Sequence, residues 1–173
     1  METALDRLFV ECSAAQLRKY TERIETCVGK LDAAQIWARG CENENAVGNL
    51  VLHLCGNVRQ WIVSGVGRQP DTRQRDTEFD ARGGLPAAEL TARLRQTVEE
   101  AIAVIGGVTP ERLAERFAVQ GYDVSVLEAI YHVVEHFSHH TGQILFATKA
   151  LTGEDLGFYR HLRRAAAHGE KTP

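Results

Sequence analysis

The 173-residue chain has no Cys-x-x-Cys pair, no run of lysine and arginine, and no apolar stretch near the roughly 20 residues of a membrane span. Each absence excludes a class of function. Without paired cysteines there is no zinc ribbon and no thioredoxin-type redox motif. Cys12, Cys27, Cys41 and Cys55 instead read as small buried hydrophobes in a reducing cytoplasm. A net charge of −3 and a pI near 6.2 leave no basic footprint to replace phosphate counterions, so no nucleic-acid partner is expected. The acidic, amphipathic start, Met-Glu-Thr-Ala-Leu-Asp, is no signal peptide, and with no span in view a cytoplasmic protein without a membrane partner is expected. The length suits one domain, residues 1–168, followed by a frayed tail at 169–173.

Histidine is what the chain concentrates. Four of its seven histidines, His132, His136, His139 and His140, fall within nine residues of one apparent helix. At 100° per residue, His132, His136 and His140 climb a single face, about 6 Å of rise apart, and imidazoles on adjacent turns can share one metal ion. Val133, Val134, Phe137, Ile144 and Leu145 lie among them, so the helix packs into a core. The His-Glu-x-x-His signature of zinc proteases is absent, because Glu135 precedes His136, and a third ligand has to come from elsewhere.

Hydrophobic periodicity divides the rest into helices. A first helix over about 3–31 carries the stripe Leu8, Cys12, Leu17, Tyr20, Ile24, Cys27 and Leu31, and Trp37 follows as a core or bundle-end anchor. The second begins near 43–45 and ends near Ser64, before Gly65 and Gly67. One of its faces gathers Asn49, His53, Asn57 and Gln60, which reads as the floor of a polar pocket, with Gly56 leaving room one turn after His53. The 66–85 stretch has four arginines against four acids; it is favoured as a solvated crossover over the alternative of a lid contacting the pocket through Arg73, Arg75 and Phe79. A third helix starts at Pro86 and ends at Gly106-Gly107. Residues 116–120 suggest a short extended segment. Ser125 and Glu128 form a capping box for the fourth helix, which Gly153 closes, and a short C-terminal helix over 156–168 completes the chain. Four amphipathic helices, one long crossover between the second and third, and no clear sheet make an all-α four-helix bundle, in which His53, His136 and His140 converge from facing helices.

The Asn49-x-x-x-His53 helix, followed some 80 residues later by His136-x-x-His139-His140-x-Gly142-Gln143, resembles the DinB/YfiT-like superfamily over nearly the whole chain. That resemblance implies a four-helix bundle with a divalent metal, zinc or nickel, on His53, His136 and His140. Outside the ligand set, Asn49, Asn57, Gln60, His132, His139 and Gln143 are expected to line the pocket or back the ligands. The superfamily includes transferases and isomerases that use low-molecular-weight thiols, and its bundles are often dimers. A metal-dependent thiol transferase or hydrolase acting on a small molecule, built as a homodimer, is therefore expected here, with a non-catalytic metal-binding or stress-linked interaction module as the alternative. Surplus apolar residues Leu5, Phe9 and Val10 on the first helix agree with self-association. Thr141 stands where many members carry an arginine, so activity needing a cation there is not carried over. No catalytic acid or base is assigned.

Overall fold

A computed structural model describes residues 4–162. Its long helices are α1 (Ala4–Val28), α3 (Val47–Val58, continued as a π-helix over Arg59–Val66), α5 (Ala87–Gly106) and α7 (Val126–Thr152). Short pieces fill the connections: α2 (Ala33–Ile36), α4 (Arg75–Asp80), α6 (Pro110–Leu113), and the strands β1 (Arg116–Val119) and β2 (Tyr122–Ser125). In the bundle α1 packs against α5 and α7, and α3 packs against the same two, so α3 and α7 are lateral neighbours. The four-helix fold expected from periodicity is therefore present, with both histidine-bearing helices side by side.

The core is a layer of fully buried apolar side chains, among them Leu17 and Ile24 of α1, Leu54 and Ile62 of the second helix, Leu90, Leu94 and Ile105 of α5, and Ile130, Phe137 and Ile144 of α7. Each side chain removed from water there contributes roughly 1.5–3 kcal/mol. At the bundle end the Trp37 indole N–H donates to the Leu85 carbonyl (3.3 Å), and its ring fills the space beside Gly48, where a Cβ would meet it at 2.8 Å. Ser125 caps α7, accepting from the Glu128 N–H, and Gly153 ends it in the left-handed conformation (φ 69°).

Several sequence expectations need correction. The apolar stripe of α1 does not hold at its start: Leu8 and Cys12 are exposed, because at 100° per residue they lie about 180° and 140° around the helix from Leu17, and Phe9, Val10, Ser13 and Ala14 face the bundle instead. Only Cys27 is buried among the four cysteines; Cys41 sits exposed in the loop before α3 and Cys55 is half-buried. Pro86 is the N-cap of α5 rather than its first helical residue. The extended segment at 116–120 has a partner, since β1 and β2 form an antiparallel hairpin with Arg116 opposite Ser125. Its turn places Gln120 (φ 51°) and Gly121 (φ 81°) in left-handed conformations, the geometry of a two-residue hairpin loop. The C-terminal helix expected over 156–168 begins as a single turn near 160, and its remainder, like the tail at 169–173, lies outside the described residues.

Candidate metal centre

His53 rises from the middle of α3, while His136 and His140 lie one turn apart on α7. Their Nε2 atoms converge: His136 Nε2 stands 3.1 Å from His53 Nε2 and 3.1 Å from His140 Nε2, and the three ligand atoms lie within 4.8 Å of one another. His53 is buried and the other two are half-buried.

What fixes these rings lies on their far sides. His53 Nδ1 is 3.0 Å from Glu78 Oε2 and 3.2 Å from Arg73 Nη2; the guanidinium makes its shorter bond to Glu78 Oε2 (2.8 Å), so with Glu78 ionised the arrangement suits a proton on His53 Nδ1 and the Nε2 lone pair inward. Glu78 in turn accepts two bonds from the Arg73 guanidinium, Nε to Oε1 at 2.7 Å and Nη2 to Oε2 at 2.8 Å. Both side chains are buried, 3% exposed for Arg73 and 9% for Glu78. Burial pushes the Glu78 carboxyl up, but its bonds to Arg73 and His53 outweigh this and hold it below the usual carboxylate value. On the other flank, His140 Nδ1 donates to Gln143 Oε1 (2.6 Å), which turns its Nε2 inward as well. A carboxylate or carboxamide oxygen behind a ligating imidazole is the usual device for fixing its tautomer and orientation.

Burial also favours the neutral form of the histidines on α7. It pulls the His136 imidazole down to about 3, and His140, His53, His132 and Arg73 add to the effect. Burial is likewise the main cause that lowers His140 and His132. Neutral rings have one N–H each. Those of His53 and His140 are committed outward, so two lone pairs converge on His136 Nε2, which can donate at most one hydrogen bond. With its proton on Nδ1, His136 would add a third inward lone pair, and Nδ1 is buried with no hydrogen-bond partner. Three imidazole lone pairs aimed at one point suit a cation. Nitrogens each about 2.0–2.1 Å from a tetrahedral zinc ion are themselves roughly 3.3 Å apart, close to the 3.1 Å of the two pairs that His136 makes, with all three within 4.8 Å. The residues present therefore fit a divalent ion, on three protein donors.

The 66–85 stretch is the wall of this site. The helix α4 lies against α3, with the Phe79 ring 4.8 Å from that of His53 and the Arg75 guanidinium 4.8 Å over Phe79. The favoured picture of a solvated crossover thus gives way: Arg73, Arg75 and Phe79 all take part, along with Glu78, which the sequence reading missed. One signal for it was available. At Gly56 a Cβ would stand 2.7 Å from Glu78 Cδ and 2.8 Å from Arg73 Nε, so the room noted beside His53 is the slot that this ion pair fills.

The remaining expected residues divide. Asn49 is fully buried but not a pocket floor. Its Oδ1 accepts from the Ala46 N–H and from Arg39, and its Nδ2 donates to the Glu78 and Ala81 carbonyls, which fastens α4 to α3. Gln60 is also engaged: its Oε1 accepts from Arg73 Nη1 (2.8 Å) and its Nε2 donates to Asp71 (2.7 Å). Asn57 is 4% exposed and its Oδ1 has no partner. His132 stacks on Trp61, ring centroids 4.0 Å apart, and its centroid is 5.6 Å from that of His136, outside the converging set. His139 is exposed and lines a surface cavity of about 550 Å³ with Asn43, Glu44, Gln143 and Phe146. Thr141 is buried and its hydroxyl donates to the Phe137 carbonyl, so no cation occupies that position.

Comparison with known proteins places the fold. Residues 4–161 match the protein family described as "Protein of unknown function (DUF1572)". No curated protein matches the chain by sequence. Among solved structures, a conserved protein from Enterococcus faecalis superposes with a TM-score of 0.72 at 14% identity, covering 89% of this chain and 99% of that one. A DinB-like protein from Bacillus subtilis (YjoA) superposes with a TM-score of 0.65 at 15% identity, covering 85% and 96%. The DinB/YfiT-like resemblance is borne out, at the level of the fold.

Proposed function

The chain belongs to the DUF1572 family, and from its DinB-like fold and the cluster above we propose that it is a divalent-metal protein whose zinc or nickel ion is held by His53, His136 and His140. The observation that carries the proposal is the convergence of three Nε2 atoms, two of them on rings anchored from behind by Glu78 and Gln143. Three protein ligands leave a coordination position open, as in catalytic rather than structural sites. Bound there, a divalent ion supplies Lewis acidity that makes a thiol or water nucleophilic at neutral pH.

The residues around it do the rest. Glu78 and Gln143 hold the His53 and His140 rings with Nε2 aimed inward. Phe79 shields the His53 face from water. We assign the site to a low-molecular-weight thiol, because soft thiolates suit both zinc and nickel and because an ionised sulfur needs no general base. That last point matters here, since Glu78 spends both oxygens on Arg73 and His53 and Glu135 is exposed. The same lack of a free base favours a second reading, a metal-binding module without turnover. Calorimetric titration of metal-loaded and metal-free protein with bacillithiol, mycothiol, glutathione and cysteine separates them. Metal-dependent binding of one thiol supports transfer to an electrophile, and binding of none leaves the module. Self-association through α1 belongs to the same proposal, on a changed set of residues: Phe9 and Val10 are half-buried against the core, and the exposed apolar residues are Leu5 at 74% and Leu8 at 54%.

A further inference from the structure

Two of the three clustered histidines have an oxygen behind them, and the third, His136, has none: its Nδ1 is buried without a partner. Only three other buried side-chain atoms among the described residues share that condition, and two of them are Asn57 Oδ1 and Trp61 Nε1; His53 and Trp61 both meet α7, and Asn57 falls between them at helical spacing, on the same face. Their level along the bundle follows from the contacts of their neighbours. His53 meets His136 through Nε2, and two turns later Trp61 stacks on His132, one turn before His136 on α7. The two helices therefore run in opposite directions. Asn57, midway between His53 and Trp61, comes level with the turn that carries His136. Asn57 is 4% exposed and Trp61 4% exposed, so bulk water satisfies neither.

These atoms are complementary. In the tautomer that turns the His136 Nε2 lone pair to an ion, Nδ1–H is a donor, as is Trp61 Nε1–H, and Asn57 Oδ1 is an acceptor. Left alone, each costs roughly 1–3 kcal/mol, whereas two donors and one acceptor are a set that an internal water satisfies with three hydrogen bonds. We propose that Asn57 is the positioning residue for His136, its Oδ1 receiving the Nδ1–H through one internal water, so that all three histidines are held from behind and all three Nε2 lone pairs face the ion. The inference rests on the metal-binding reading, and it assigns Asn57 to the ligand rather than to a substrate.

The test is zinc affinity, measured by competition with a chromogenic chelator. Outer partners of metal-bound histidines are worth roughly 10–100-fold in affinity. Asn57→Leu, which keeps the volume and removes the acceptor, should weaken zinc by that factor, while Asn57→Asp, which keeps an oxygen acceptor, stays near wild type or tighter. Val58→Ala removes core volume at the next position and should leave zinc affinity unchanged, which separates positioning from loss of packing. In the zinc-loaded protein the His136 Nδ1–H proton resonance should move upfield in Asn57→Leu. Asn57→Leu with wild-type affinity and an unmoved resonance overturns the proposal. Failure of the metal reading itself looks different, as wild-type protein and His53→Ala would then take up equally little zinc.

Discussion

Gly56 faces the crossover one turn after His53, and its lack of a side chain is what lets the Arg73–Glu78 pair reach Nδ1 of that histidine. Elsewhere in a helix interior, glycine to alanine gains about 0.5–1 kcal/mol. Here the added methyl would displace a buried carboxylate from its partners, and separating such a pair costs about 3–5 kcal/mol. Gly56→Ala should therefore lower stability by a few kcal/mol in denaturant unfolding and weaken metal binding with it; a stabilised variant would show that the slot is not needed. At this scale the sequence revealed which histidines cluster better than what surrounds them. His53, His136 and His140 were legible because helical spacing fixes which residues share a face. Asn49 and Gln60 share the His53 face too, yet Asn49 ties down the carbonyls of α4 and Gln60 serves Arg73, because periodicity says which way a side chain leaves the helix and not what covers it.

Among elements, α7 was the most legible, since Ser125, Glu128 and Gly153 mark both of its ends. The crossover was the least. Its balanced charges look solvated in sequence, but Glu78 reaches back across 25 residues to His53, a pairing that no local pattern announces. The hairpin was half legible: β1 alternates weakly, and Gln120-Gly121 is a poorer turn signal than Asn-Gly. The exposed start of α1 carries its own expectation. Leu5 and Leu8 lie outward on a helix whose other exposed positions are mostly polar, and such surplus apolar surface marks an interface. Light scattering at micromolar concentration should give a mass above the monomer, and Leu5→Glu with Leu8→Glu should restore the monomer; a wild-type monomer would count against the dimer.

Across the whole molecule, the cluster joins α3 to α7, and through Glu78 it joins both to the crossover that covers them. An ion held there stabilises the fold by mass action, about 2.7 kcal/mol when free metal is one hundred times Kd. For a chain of this size that is a rise in Tm of roughly 5–10 °C. The central claim, one divalent ion on three histidines, is tested most directly by elemental analysis of protein purified without chelator. The account predicts close to one zinc or nickel per chain in the wild type and loss of that metal in His136→Ala. Full occupancy in the His53→Ala, His140→Ala double variant would contradict it.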